Sequence, residues 1–346
     1  MNAPDAISAA ASQAWPAFAL VTGLLLVGVV AERDGLFAAA GARLSRLPLR
    51  PRALLVAALA LVTLVTAVLN LDTSVFFLTP VLLHLARHRG IDEAPFLYGT
   101  VFMSNAASLF LPGSNLTNLI VLHHEHVSGA TFLARMWPAA VASVATTTLI
   151  LVIVFWRTLG APAVGEREAA RAHFGLGIAG VAVSTVLVLA LASPALPVLI
   201  VGVAVVLLAR TTRERVCATA DPRVLAGLFL LAVAVGSVGR WWHGPEHLVN
   251  SFDRWQTAAT GAVAAVCLNN LPASMLLAAN IPAHPRALLI GLNLGPNLAV
   301  TGSLSAFLWL RVARSHEARP SARTYTLLGL VLVPISIAAS LAALAV

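Results

Sequence analysis

The chain has 346 residues, of which 59% are hydrophobic and 10% are charged. Soluble domains carry roughly 25% charged residues, so this composition excludes an ordinary soluble protein and predicts an integral membrane protein. The formal net charge of +8 rests on 22 basic residues, all of them arginine. Because these arginines lie in short connections between apolar segments, they indicate membrane topology and exclude a nucleic-acid-binding surface.

The first half of the predicted architecture comprises residues 1–157. Apolar stretches of about 20 residues, enough to span a membrane as helices, recur in it. Polar interruptions divide two of them. The predicted elements, in order, are a span at Trp15–Ala31, a basic loop, a hairpin at residues 53–85, a broken helix at residues 94–122 and a span at Phe132–Trp156.

The second limb of the hairpin decides how the hairpin is interpreted. As a helix, Val75–Leu85 would measure about 16 Å, which is too short for a hydrocarbon core of about 30 Å. The polar tip Asn70–Ser74 separates it from the first limb. We therefore predict a re-entrant hairpin that turns at Asp72 and returns to the face from which it entered.

The second half repeats this order after a predicted cytoplasmic linker at residues 158–172. It comprises residues 173–346 and begins with extra helices that have no counterpart in the first half. The predicted elements are two extra helices at residues 173–209, a span at Val224–Val238, a hairpin at residues 257–281, a broken helix at residues 286–310 and a last span at Thr324–Val346.

Arginine placement orients the two halves. If the first basic loop is cytoplasmic and both hairpins return to their own side, all arginines lie inside except Arg135, Arg240, Arg254 and Arg286. This bias satisfies the positive-inside rule, and the halves then have opposite orientations. We predict an all-α integral membrane protein built as an inverted-repeat secondary transporter, with about eight spanning helices, two re-entrant hairpins and two broken helices.

Asp72 is the only one of 14 acidic residues that lies deep within an apolar segment. A charge in hydrocarbon costs several kcal/mol and is a functional candidate by default. The alternative is a polar kink that a neighbouring helix satisfies. A desolvated carboxyl group favours its neutral form, so Asp72 is the candidate proton-coupling residue.

The candidate substrate-binding residues are amides and hydroxyls at the two hairpin tips and the two helix breaks. Unwound backbone at membrane depth is tolerated only where it lines a cavity or is buried in protein. Any single serine or threonine could instead make an interhelical hydrogen bond. The set is Asn70, Thr73 and Ser74; Ser104, Asn105, Ser108, Ser114, Asn115 and Asn118; Asn269 and Asn270; and Asn293, Asn297, Thr301 and Ser303.

Four motifs, at Asn70–Pro80, Ser104–Asn118, Asn269–Pro272 and Leu294–Ser303, resemble those of bacterial arsenite/antimonite efflux permeases of the ion transporter superfamily. That superfamily also contains sodium/proton antiporters and dicarboxylate carriers. The resemblance implies proton-coupled efflux across the bacterial inner membrane, with the basic loops in the cytoplasm. Asn105, Asn293 and Asn297 stand where many such permeases carry charged residues, which leaves Asp72 as the one membrane-embedded charge.

The polar set suits the substrate that this resemblance implies. Arsenite at neutral pH is expected to be the uncharged trihydroxide, whose hydroxyls can pair with Asn, Ser and Thr without a buried cation. The alternative is a sodium- or proton-coupled carrier of a dicarboxylate-like anion, or a sodium/proton antiporter. No cofactor is expected, and docking of a soluble ATPase and formation of a homodimer stay open.

One other constellation raises a different class of function. His123, His124 and His126 with Glu125 resemble a metal cluster, which would suit an intramembrane metalloenzyme. The four residues lie at a segment end that is predicted to be outside, where a solvated polar turn is the simpler interpretation. A metal site needs a defined geometry and supporting hydrogen bonds. We therefore predict a transporter, not an enzyme, without a metal site.

Overall fold

The computed structural model describes residues 3–125, 127–160, 175–242 and 244–344. The described residues form an all-helical bundle, in which short 3₁₀ turns interrupt some of the helices. The helices are α1 (Ala3–Arg33), α2 (Leu36–Arg46), α3 (Pro51–Val68), α4 (Leu71–His88), α5 (Ala94–Ala107), α6 (Leu116–Val121), α7 (Gly129–Val154), α8 (Leu176–Ala190), α9 (Ala195–Leu208), α10 (Arg213–Thr219), α11 (Pro222–Trp241), α12 (Gly244–Ser251), α13 (Arg254–Leu268), α14 (Asn270–Leu277), α15 (Pro285–Leu294), α16 (Leu304–Ser315) and α17 (Ala322–Leu344).

Five stretches of the described residues are long and apolar enough to cross a membrane. They are α1, α3, α7, α17 and the run Arg213–Trp241, which joins α10 to α11. The apolar helices α8 and α9 are shorter, with 15 and 14 residues. The predicted all-α membrane architecture is confirmed. Most of the predicted linker, residues 161–172, lies outside the described residues.

The first predicted hairpin is formed by α3 and α4. Its two open ends meet, because Arg89, just after α4, donates hydrogen bonds to the carbonyl oxygens of Ser45 at 2.7 Å and Leu49 at 3.0 Å, just before α3. Near the tip, the Ser74 hydroxyl lies 3.5 Å from the Val62 carbonyl oxygen. The two limbs therefore run antiparallel and side by side.

The second limb is longer than the sequence pattern predicts. The polar residues of the tip are helical, because the Asn70 side chain accepts a hydrogen bond from the Thr73 amide at 2.7 Å and caps α4. The limb therefore has 18 residues, about 27 Å of helix, instead of the 11 residues of Val75–Leu85. The evidence for the α3–α4 hairpin is therefore the contacts between its two limbs, and the length of the second limb does not support it.

Three connections that the sequence analysis treats as loops contain helices. α2 lies in the first basic loop, where Phe37 stacks on Phe77 of α4 with ring centroids 4.9 Å apart. α10 and α12 lie in the basic and Trp-containing connections on either side of α11. Short amphipathic helices of this kind carry charged residues on one face, so their composition resembles that of a loop.

The two predicted broken helices are broken in the structure. The first consists of α5, a 3₁₀ turn at Pro112–Ser114 and α6. The second consists of α15, 3₁₀ turns at Gly295–Leu298 and Val300–Gly302, and α16. Each outgoing half starts at a side-chain cap, Asn115 in the first and Ser303 in the second.

The hairpins and broken helices pack crosswise. The first limb of each hairpin contacts the incoming half of the broken helix that follows it, so α3 packs on α5 and α13 packs on α15. The second limbs contact the opposite outgoing halves: α4 packs on α16, and α14 packs on α6. Each hairpin therefore contacts both broken helices, and the inverted orientation of the two halves stays a prediction.

The extra helices α8 and α9 cover α1. A side chain at Gly23 of α1 would collide with the backbone of Val198 in α9, and one at Gly202 of α9 would collide with the backbone of Gly23. These two glycines therefore let the helices approach to backbone contact, as small residues do in membrane bundles.

Candidate functional site

The two helix breaks meet in a buried cluster of amides centred on Asn293. Its Oδ1 accepts hydrogen bonds from the Ser108 hydroxyl and the Asn115 amide, both at 2.6 Å. Its Nδ2 donates to Asn118 Oδ1 and to the Leu289 carbonyl oxygen, both at 2.8 Å. One side chain of the second break thus holds three side chains of the first, and Asn293 is fully buried.

A second amide pair extends this cluster. Asn105 donates to Asn297 Oδ1 at 2.8 Å, and Asn297 donates to the Phe102 carbonyl oxygen at 3.3 Å. Both asparagines are fully buried, and Asn105 Oδ1 has no hydrogen-bond partner. A buried polar atom left unpaired costs about 1–3 kcal/mol, so this oxygen is a candidate contact for a bound solute or water.

Asn118 donates hydrogen bonds to backbone carbonyl oxygens at the first break. Its Nδ2 donates to the carbonyl oxygens of Ser108 at 2.7 Å and Leu111 at 3.2 Å. Both carbonyls lie beyond the end of α5. The Ser108 carbonyl lacks its usual helical donor because Pro112 has no N–H, and the Leu111 carbonyl also accepts a hydrogen bond from the Ser114 amide at 3.1 Å. The amide cluster therefore stabilises the break as well as joining the two breaks.

The predicted coupling residue, Asp72, lies in the first turn of α4. Its Oδ1 accepts a hydrogen bond from the Ser305 hydroxyl at 2.7 Å. Ser305 lies in the first turn of α16. The positive ends of two helices therefore face each other across one carboxyl group, an arrangement that favours binding of a negative charge or a polar solute.

A cavity of about 970 Å³ lies along the packed pair α4 and α16 and is also lined by α1, α2 and α10. Its walls include Phe76 and Leu308, which follow Asp72 and Ser305 by about one helical turn. It therefore runs from the surface toward the Asp72–Ser305 contact. Its charged and histidine lining residues are Glu32, Arg33, His84, His88, Arg215, Arg311 and His316.

The family model described as "CitMHS: Citrate transporter" matches residues 2–310. That match spans both hairpins, both helix breaks and every candidate residue of the site. The chain belongs to the citrate transporter family. Its family and its long apolar helices make it a multi-pass membrane protein.

One curated relative is the silicon efflux transporter LSI3 of Oryza sativa subsp. japonica, which is 28% identical over 155 residues. The alignment covers 45% of this chain and 32% of the relative, so it spans about a third of that protein's length. Both comparisons agree with a transporter of this superfamily. The narrower resemblance to arsenite permeases remains a prediction.

Among solved structures, the YdaH transporter of Alcanivorax borkumensis has a similar fold. The TM-score is 0.57, with 14% sequence identity over 98% of this chain and 86% of that chain. At this identity the similarity concerns the fold alone. A transporter fold with the family match supports the non-enzyme interpretation of this citrate transporter family member.

The remaining candidates of the first half lie around the cluster and not in it. Ser104 donates to the Val101 carbonyl oxygen of its own helix at 2.9 Å, and Ser114 donates to the Ala67 carbonyl oxygen of α3 at 3.2 Å. Thr73 is buried against α1, and its hydroxyl has no partner. These side chains position the tip and the break.

The second hairpin tip stands apart from the amide cluster. Asn269 has a φ of 76° and donates to the Thr301 carbonyl oxygen at 3.2 Å. Asn270 is buried, whereas Thr301 is exposed. Ser303 caps α16 by accepting a hydrogen bond from the Ala306 amide at 3.1 Å. The tip therefore contacts the second break through Asn269 and Thr301. The hydrogen bonds of the amide cluster join the two breaks and do not include this tip.

Sequence reasoning missed two features of the candidate site. Ser305 lies two residues beyond the predicted Ser303, and only the packing of α4 on α16 reveals its contact with Asp72. The cavity draws on connections that the sequence pattern marks as loops. The sequence signal for the cavity wall was a spacing of four residues, which places Phe76, Pro80, His84 and His88 on one face of α4.

No group of three potential metal ligands was found in the described part of the chain. His123 and His124 have ring centroids 5.0 Å apart at the end of the first broken helix. His126, the third histidine of the alternative metal cluster, lies outside the described residues.

Proposed function

We propose that this protein is a proton-coupled efflux transporter for a small uncharged polyhydroxy solute, of which arsenite and antimonite trihydroxides are the chemical type. The observation that carries the proposal is the amide cluster at the two breaks. Its described contacts involve only amides, hydroxyls and backbone carbonyls, which can donate to and accept from solute hydroxyls alike.

Asp72 supplies the coupling in this proposal. A hydroxyl group both donates and accepts, so Ser305 can stay hydrogen-bonded to the carboxyl group whether or not Asp72 carries a proton. The carboxyl group lies about one helical turn beyond the described end of the cavity, so a proton and a solute can reach neighbouring positions by one route.

The arginine pattern supports a cavity that opens to the cytoplasm, which suits efflux. Arg33, Arg215 and Arg311 line the cavity, and all three belong to the connections predicted to be cytoplasmic. In a bacterial inner membrane, the solute would enter this cavity from the cytoplasm and leave on the opposite face as a proton is taken up there. The similarity to a silicon efflux transporter supports efflux of a hydroxylated solute.

A second candidate function is transport of a carboxylate anion, as the family description suggests. The observation in its favour is the cavity itself, where three arginines outnumber the single acid Glu32. A positive cleft raises the local concentration of anions. In this candidate a sodium ion or a proton would neutralise Asp72 when the anion binds at the helix ends.

Flux in proteoliposomes distinguishes the candidates. Purified protein would be reconstituted in liposomes. Arsenite uptake would be measured with an acidic lumen, and citrate uptake with an acidic external solution or with sodium outside, because a co-bound ion must enter together with the anion. We expect lumenal arsenite to exceed external arsenite only when the lumen is acidic, and citrate uptake to match protein-free liposomes. Concentrative uptake of citrate without arsenite uptake would replace the first candidate by the second.

A further inference from the structure

Two helix pairs hold corresponding places in the crosswise packing, and they differ in openness. α4 packs on α16 and α14 packs on α6, each pair joining a second hairpin limb to an opposite outgoing half. The cavity lies along the first pair. A transporter with two access routes keeps one open and one closed at a time, so the second pair marks where a closed route would lie.

The region beside α14 and α6 is filled by buried apolar side chains. Ala14 and Phe18 of α1 pack there with Ile120 of α6 and Met275 of α14. Ala14, Ile120 and Met275 are fully buried. Gly236 of α11 lies so close to Met275 that a side chain at this glycine would collide with it.

A buried polar contact sits at one end of this apolar cluster. Gln13 of α1 donates from Nε2 to the carbonyl oxygens of Ile120 at 3.0 Å and Ala278 at 2.7 Å. These carbonyls belong to the last turn of α6 and the C-terminal cap of α14. One glutamine amide therefore ties together the C-terminal ends of the two helices that would have to separate.

Arg240 of α11 holds this glutamine in place. Its guanidinium group donates to Gln13 Oε1 at 2.9 Å and to the Gly236 carbonyl oxygen at 2.9 Å. A weaker contact reaches the Ala9 carbonyl oxygen at 3.5 Å. Arg240 is 5% exposed, and its described partners are all neutral. A buried cation without an acid is costly and marks a functional position.

We propose that Arg240 and Gln13 lock the second access route of this transporter. The lock is closed in this structure, where the route between α4 and α16 is open. Movement of α14 away from α6 would break the two Gln13 bonds and expose Arg240 to the newly formed crevice. The positive charge also complements the negative C-terminal ends of α6 and α14 through the glutamine, which stabilises the closed state.

The inference rests on the proposed transport function, but its test needs no substrate. In a background with Cys217 and Cys267, both free cysteines, replaced by serine, Ala14→Cys would report on the closed route. Leu308→Cys, at a partly exposed position that lines the cavity, would report on the open route. Labelling of each by a water-soluble maleimide would be timed in detergent.

Arg240→Met and Gln13→Leu are expected to change the two reporters in opposite directions. Loss of one charge-assisted hydrogen bond should raise the labelling rate at position 14 by about tenfold as the population shifts. The rate at position 308 should fall. Arg135→Met is the matched control, because Arg135 is exposed and its ion pair among the described residues is with Glu125 at 3.4 Å.

Reciprocal change in either variant supports the lock, so one folded variant is enough. Unchanged rates at both positions, or faster labelling at both, would overturn it, since faster labelling at both reports loss of packing. The labelling test does not depend on the flux assay. Failure to transport arsenite would not affect the proposed lock, and unchanged labelling would not affect the proposed solute.

Discussion

Asp72→Asn should abolish accumulation driven by a pH gradient while downhill exchange of solute is partly retained. Asparagine keeps the shape of the side chain and a hydrogen bond to Ser305, but it cannot bind and release a proton. With one proton exchanged per solute, a gradient of one pH unit supports about tenfold accumulation, and the variant should fall to about onefold. The measurement is arsenite uptake into proteoliposomes with an acidic lumen.

Asp92→Asn is the matched control for this variant. Asp92 is exposed, precedes α5 and accepts a hydrogen bond from the Ala94 amide at 3.0 Å, which asparagine can also do. Normal accumulation by Asp72→Asn would remove Asp72 from the mechanism. If the variant instead loses a dependence on sodium and keeps its dependence on protons, the coupling ion is sodium.

Asn293→Leu should abolish transport and destabilise the protein. Leucine is close in size, but it removes the partners of Asn115 Nδ2 and Asn118 Oδ1. The Ser108 hydroxyl can still donate to the Asn105 carbonyl oxygen. Each buried polar group left unpaired costs about 1–3 kcal/mol, so we expect a loss of about 2 kcal/mol or more. Thermal unfolding in detergent and arsenite flux in proteoliposomes measure the two effects.

The matched control is Asn250→Leu. Asn250 is an exposed residue of α12 that accepts a hydrogen bond from the Ala283 amide at 2.8 Å, away from the helix breaks. It should transport as the wild type does and unfold within a few degrees of it. Normal flux by Asn293→Leu would show that the solute does not depend on the amide cluster.

The helix breaks were predictable from the sequence because their causes are local. Pro112 and Pro296 cannot continue a helix, and the asparagines around them are too polar for lipid. The broken helices follow from these prolines and asparagines. The hairpin tips follow in the same way from Asn70 and Asn269, which interrupt apolar stretches. Which amide faces which was not predictable, because the Asn105–Asn297 contact joins residues 192 positions apart.

Two errors of the sequence analysis have simple physical reasons. The start of α4 was predicted too late, since Asn70 caps the helix and turns apparent loop residues into its first turn. Gln13 was overlooked because the first span was predicted to begin at Trp15, whereas α1 begins at Ala3. In both cases a polar residue was taken as the end of a segment to which it belongs.

The central claim is that movement of an uncharged solute is coupled to a proton through Asp72. The direct test traps a pH-sensitive dye in proteoliposomes that hold potassium on both sides with valinomycin, so that no membrane potential opposes the exchange. When arsenite is added outside, the lumen should become more alkaline with the wild type and should not with Asp72→Asn or in protein-free liposomes. Arsenite uptake by the wild type without any change in lumenal pH would contradict the account.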